Sequence, residues 1–127
     1  MSKTEDEVAA QVVDAAVAIH KFLGPGLLES AYAAALQIEF DERGLACERE
    51  VPISARYHDR PLGVVYRADL LVERSVLVEV KAAVGPAPLH LAQLLSYLRL
   101  GNWRLGLLLN FNSPLMKDGI RRVVNRH

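Results

Sequence analysis

"SVLVEVKAAVGPAPLHLAQLLSYLRLGNWRLGLLLNF" (residues 75–111) decides the fold. Val76, Leu77, Val78 and Val80 form an apolar run of strand length, and "WRLGLLLNF" (103–111) is nearly continuously apolar, as in a strand covered on both faces. Between them "GPAP" (85–88) breaks the chain, and Leu89 to Leu100 has helical spacing closed by Gly101-Asn102. A strand–helix–strand unit of this kind makes its two strands parallel, with a right-handed crossover. The spacing therefore predicts an α/β domain, a mixed β-sheet flanked by helices.

The same reading extends outward. "VVYRADLLV" (64–72) is the strand before the central one, and "CEREVPISARY" (47–57) is an extended segment interrupted at Pro52, with "HDRP" (58–61) as the turn between them. "TEDE" (4–7) fits a capping box with Thr4 as N-cap and Glu7 three residues on. Behind it Val8, Val12, Ala15, Ala16, Ile19 and Phe22 recur at helical spacing, and "LGPG" (23–26) stops the helix. A second helix is expected from about Leu27 to Arg43, with Leu28, Ala31, Ala35, Ile38 and Leu36 inward and Gly44 at C′. Ile120 to Val124 reads as a last edge strand. The order is helix, helix, three strands, helix, strand, strand.

At 127 residues, 51% of them hydrophobic, the chain has the length and apolar content of one domain. Its longest apolar stretches are too short to span a bilayer, and the acidic start "MSKTEDEVAAQ" lacks the apolar core of a signal peptide, so a cytoplasmic protein is expected. The lone Cys47 excludes an intramolecular disulfide and a multi-cysteine zinc site. Fifteen basic and fifteen acidic residues tell against binding nucleic acid by bulk charge. The tail "KDGIRRVVNRH", however, carries Lys117, Arg121, Arg122 and Arg126 against Asp118 alone.

Charge inside the most apolar strand is the anomaly. Charged groups are rarely buried without a partner or ligand. Glu79 and Lys81 share one strand face. Asp69 joins them only if the intervening turn has odd parity or a bulge: a three-residue loop pairs it with Glu79 or Lys81, whereas a two-residue loop sends it to the other face. Two neighbouring carboxylates resist joint ionisation, a conflict that a hard divalent cation removes. The plainer reading of E-x-K is a surface salt bridge. Gln93 and Tyr97 lie four apart on the following helix, with His90 one turn earlier, and Glu29 and Tyr32 lie near the start of the second helix. An acid there is also favoured by the helix dipole alone, and His20 reads as a surface residue near a helix end.

Taken together, "GLLESAY" (26–32), "YRADLLVE" (66–73), "LVEVKA" (77–82), "HLAQLLSYLRL" (90–100) and "GLLLNF" (106–111) resemble the GxxExxY proteins of the PD-(D/E)XK nuclease superfamily, over about residues 8 to 125. That resemblance implies a single restriction-endonuclease-like domain over residues 1–127 and a nuclease hydrolysing DNA phosphodiester bonds with Mg²⁺ or Mn²⁺. It implies Asp69 and Glu79 as metal-binding acids, with the Val80 carbonyl as a third ligand. Glu29 matches the helix-borne acid that binds or orients a metal or its waters. Lys81 resembles the catalytic lysine, and Gln93 and Tyr97 the residues that orient it or contact the DNA backbone. Since the net charge is zero, any grip on DNA must be local, with Arg67, Arg99, Arg104, Arg121 and Arg122 as candidates. So small a chain has little room for a specificity element, which favours either a homodimer or an accessory partner, and the resemblance to compact, often dimeric junction-resolving nucleases of the superfamily points to the homodimer. Two other readings stay open: a non-catalytic nucleic-acid-binding or scaffold module on the same fold, and a purely structural domain with Asp69 facing away from Glu79 and Lys81.

Overall fold

The computed structural model describes residues 3–84 and 88–126; of the expected break at 85–88, residues 85–87 lie outside that range. The element order is α1 (Glu5–Leu23), α2 (Glu29–Glu42), β1 (Cys47–Tyr57), β2 (Arg60–Val72), β3 (Val76–Lys81), α3 (Pro88–Gly101), β4 (Leu105–Asn110), a 3₁₀ turn (Met116–Gly119) and β5 (Ile120–Val124). One mixed five-stranded sheet runs β1-β2-β3-β4-β5, parallel only between β3 and β4. Helices α1 and α2 pack on one face around Val12, Leu36, Val78 and Leu107, and α3 packs on the other around Leu77, Leu94 and Leu108. This is the restriction-endonuclease-like arrangement expected of the chain. No described helix is long and apolar enough to cross a membrane.

Local chemistry accounts for the boundaries. Thr4 Oγ1 accepts from the Glu7 N–H at 3.1 Å while Glu7 Oε1 accepts from the Thr4 N–H at 3.2 Å, so α1 begins with the expected capping box. It ends at Gly24, whose φ of 71° favours glycine. Phe22 continues the apolar stripe yet is 89% exposed. Nineteen helical residues span about 28 Å, whereas the six residues of β4 span about 20 Å, so the last turn of α1 outruns the strands beneath it. His20, just before it, is buried rather than on the surface, with Nε2 2.8 Å from the Ser113 carbonyl oxygen.

Helix α2 turns inward a face that overlaps the expected one only in part: Leu36 is buried and Ala35 packs against the core, but Leu28 and Ile38 do not. Tyr32, Ala33, Leu36 and Phe40 are buried, while Leu28 and Ile38 are 77% and 59% exposed. Alanines and large apolar residues surround most of this helix, so periodicity names no unique face. The choice falls to the large rings, with Tyr32 stacked on Phe111 at a centroid distance of 4.3 Å. Strand β1 also runs unbroken through Pro52. It is an edge strand, where a missing N–H costs no ladder bond if it faces outward.

Candidate active site

The site opens where β2 and β3 part. The ladder pairs Val72 with Val76, Leu71 with Leu77 and Leu70 with Val78. The turn is therefore three residues, 73–75, and the same register continued places Asp69 opposite Glu79. Glu73 and Arg74 make that odd turn by adopting left-handed φ values of 52° and 54°. Beyond Leu70–Val78, side chains replace the ladder. Glu79 Oε1 accepts from the Asp69 N–H at 2.9 Å, and Asp69 Oδ2 accepts from the Val80 N–H at 2.8 Å. Two donors that diverging strands would orphan are satisfied by the two carboxylates.

A change of face in β2 sits at the same place. Ala68 lies in the cluster beneath α3, but Leu70 and Val72 lie in the opposite one. Evenly alternating residues two apart would share a face. The switch falls at Asp69, level in register with Glu50, whose φ is 51°.

Glu79 is 2% exposed. Its Oε2 accepts from the Tyr66 hydroxyl at 3.1 Å and stands 3.9 Å from Lys81 Nζ, an ion pair too long for a hydrogen bond. Burial, then the negative charge of Asp69, pushes the Glu79 carboxyl up to about 7, against the opposing pull of the Asp69 N–H, Lys81 and Tyr66. Asp69 is also raised, by burial above all; the Val80 N–H and Lys81 oppose this, Glu29 adds to it, and Arg49 counters it. Burial and then the Glu79 charge hold the Tyr66 hydroxyl well above its ordinary value. Glu29, the first residue of α2, closes the site from the other side, with Oε2 3.4 Å from the Ala82 N–H.

Behind Lys81 the chain is held by Asn110. Its Nδ2 donates to the Ala83 carbonyl at 2.9 Å and its Oδ1 accepts from the Ala83 N–H at 3.2 Å, standing in for one more rung of ladder after the Lys81–Asn110 pair. The Phe111 N–H donates to the Lys81 carbonyl at 2.9 Å. The lysine thus leaves a backbone fixed on both sides.

Among the described residues, no three His, Cys, Asp or Glu side chains already stand as a metal-ligand group. The donor chemistry nevertheless fits a hard divalent cation: two adjacent carboxylates are both raised, by burial above all and against the pull of Lys81, and Glu29 supplies a third acid nearby.

Gln93 is half-buried on α3. Tyr97, four residues on, is only 8% exposed; its ring stacks on that of Tyr66, the donor to Glu79, at a centroid distance of 4.1 Å and an angle of 11°. His90 is half-buried in the first turn of α3. The candidate basic residues are mostly elsewhere. Arg104 pairs with Glu5 at 2.8 Å and Arg122 with Asp6 at 2.6 Å, near the Val76 end of the sheet rather than the Lys81 end. Arg99, in the last turn of α3, leads to that same end, and Arg121 donates to the carbonyls of Asp118 and Ile120. Arg67, on the hairpin beyond Lys81, and Arg121, level in register with Leu108 and Glu79, lie toward the site's end of the sheet.

Tyr66, Arg49 and Asn110 belong to the surroundings of the site without being singled out by the sequence motifs. Asn110 had a signal, being a polar amide that ends a buried strand. Tyr66 had a weaker one, three residues before Asp69 in a run that otherwise reads as strand filling. Arg49 had none, because its reach depends on the β1–β2 register. Removing the hydroxyl with Tyr66→Phe keeps the stack but takes a donor from an ionised Glu79. Unfolding by denaturant without metal should show a loss of about 2 kcal/mol at pH 8 and about 1 kcal/mol at pH 5, where Glu79 is protonated.

No curated protein and no solved structure matches this chain. A family model does: that of the PD-(D/E)XK nuclease superfamily, over residues 6–123, which contain Glu29, Asp69, Glu79 and Lys81. The chain belongs to the PD-(D/E)XK nuclease superfamily.

Proposed function

We propose that this protein is a divalent-metal-dependent nuclease of the GxxExxY type that hydrolyses phosphodiester bonds in DNA. The observation that carries this reading is the meeting of Asp69, Glu79 and Lys81 at the point where β2 and β3 separate, with the Glu79 carboxyl raised to about 7 by burial and by Asp69. A structural salt bridge would need no second carboxylate beside Glu79.

Asp69 and Glu79 would hold the cation, with Glu29 and the Val80 carbonyl as further donors, and Mg²⁺ or Mn²⁺ would supply Lewis-acid stabilisation of charge on the phosphate. The chain's own groups do the rest. Lys81 Nζ, on a clamped backbone, donates to the attacking water or to a phosphate oxygen as negative charge grows there. Tyr66, braced by Tyr97, fixes the Glu79 carboxylate. Glu29, anchored at the start of α2, orients water from the opposite side. In the reaction a water oxygen bonds to phosphorus as the ester P–O bond breaks; the water gives up a proton and the leaving oxygen takes one up.

The test is calorimetric titration of Mn²⁺ into wild type and Glu79→Ala, followed by cleavage assays on duplex, single-stranded and branched substrates. The expected result is one binding event lost in the variant and metal-dependent cleavage by wild type alone. Equal binding by both proteins, or no cleavage of any substrate, would overturn the proposal.

A further inference from the structure

Strands β1 and β2 are far longer than the sheet needs. Strand β2 has 13 residues, but only Leu70–Val72 pair with β3. The other residues pair only with β1, so the hairpin runs on past the end of the sheet where Lys81 stands. Its base is packed: Val51, Ile53, Tyr66 and Ala68 join the cluster beneath α3. From Ser54 to Val65 every residue except Ala55 is exposed. Ser54–Tyr57 of β1 against Arg60–Val65 of β2, two of whose residues are bulged, make an arm about 13 Å long beyond the packed base.

Its composition differs from that of the remainder. Residues 51–68 hold Arg56, Arg60 and Arg67 against a single acid, Asp59, in a chain whose overall charge is zero. The rest of the molecule is accordingly net acidic, and the arm is a cationic projection next to the site. None of these three arginines forms an ion pair with a described acid, unlike Arg104 and Arg122. The tip carries Tyr57, 65% exposed, and a tight His58-Asp59 turn with both φ values positive.

The arm is also built against pairing with another strand. Pro52 and Pro61 remove donors from it, and the register with β1 shifts twice, leaving Val65 and Leu62 as the extra residues of two bulges. Prolines, bulges and charge are the devices that keep open sheet edges from strand addition. A twisted two-stranded ribbon of this width fits the major groove of B-form DNA, about 12 Å wide. The deep, narrow major groove of A-form RNA does not admit it.

We infer that the β1–β2 arm is a duplex-DNA grip, with Arg56, Arg60 and Arg67 on phosphates and the ribbon along the major groove, holding the duplex against the Lys81 end of the sheet. This rests on the nuclease reading of the site. It explains how a chain without net positive charge would hold DNA.

The test is fluorescence anisotropy of a short labelled duplex, in EDTA to prevent cleavage and across a salt series, with wild type and Arg56→Gln/Arg60→Gln. The double variant should bind about tenfold more weakly or worse, with a slope of log affinity against log salt shallower by about 2. Its melting temperature and Mn²⁺ titration should match wild type. If the variant binds like wild type, the arm inference falls and the nuclease reading stands. If wild type binds no duplex at all, the DNA reading falls and the arm with it. Sedimentation of Leu62→Ser/Val65→Ser provides a further check. Conversion of a dimer to monomers by that variant would make the arm a contact between copies and overturn the inference, whereas an unchanged oligomeric state supports it.

Discussion

Lys81→Ala should cleave DNA about 10³-fold more slowly than wild type while folding normally and still binding Mn²⁺. The side chain is 15% exposed and touches Glu79 only at 3.9 Å, so its removal leaves no short charged bond broken. Stability should therefore change little. If Lys81 served only as the salt-bridge partner of Glu79, the loss would appear in stability and not selectively in turnover. Lys81→Arg should not rescue the rate, because a planar, forked guanidinium does not occupy the place of a compact ammonium. The measurement is single-turnover cleavage beside thermal melting and metal titration; near-normal cleavage by Lys81→Ala would remove the residue from the chemistry.

The second expectation concerns Glu79→Gln without metal. The Glu79 carboxyl is raised from 4.5 to about 7 in the folded protein, so the fold prefers its protonated form. That contribution to stability is fully present below about pH 4.5 and is lost as pH rises to about 7. By linkage the loss is about 3 kcal/mol, a large share of a typical domain's stability. The substituted amide carries no charge to desolvate; its oxygen can accept from the Asp69 N–H and its NH₂ can donate to the Tyr66 oxygen. The variant should thus be more stable than wild type at pH 8 in EDTA and nearly equal to it at pH 5. Saturating Mn²⁺ should reverse the order, because only wild type gains from binding. Denaturant unfolding at the two pH values decides the matter: a Glu79→Gln variant weaker at pH 8 in EDTA would mean the carboxylate is already well compensated, as in a structural ion pair.

Some of this was legible in the residues alone and some was not. The turn at Glu73 to Ser75 is a case between the two. From sequence, odd parity was a condition for Asp69 and Glu79 to meet; nothing local in "ERS" demanded it, since two non-glycine residues adopt left-handed φ there. Periodicity finds Leu36 and Ala35 on the inward face of α2 but also points to Leu28 and Ile38, because alanines on several sides leave it without a decision; the Tyr32–Phe111 stack that does decide joins residues far apart in sequence. His20 reads as a surface residue in the sequence because its partner, the Ser113 carbonyl, is likewise remote. Arg104 and Arg122 counted as free cations until α1 brought Glu5 and Asp6 against them.

By itself the sequence determined the order of helices and strands, the parallel β3–β4 pair and the residue types able to do metal and phosphate chemistry. Those properties follow from local periodicity, capping and the handedness of a single crossover, all short-range. Only the tertiary structure decided which charges meet and which are neutralised, and that β1 and β2 outrun the sheet as a basic arm. The meeting of Asp69 with Glu79, the reach of Glu29 to Ala82 and the clamp of Asn110 on Ala83 depend on strand register and on contacts across tens of residues. One step of register would send those side chains to opposite faces.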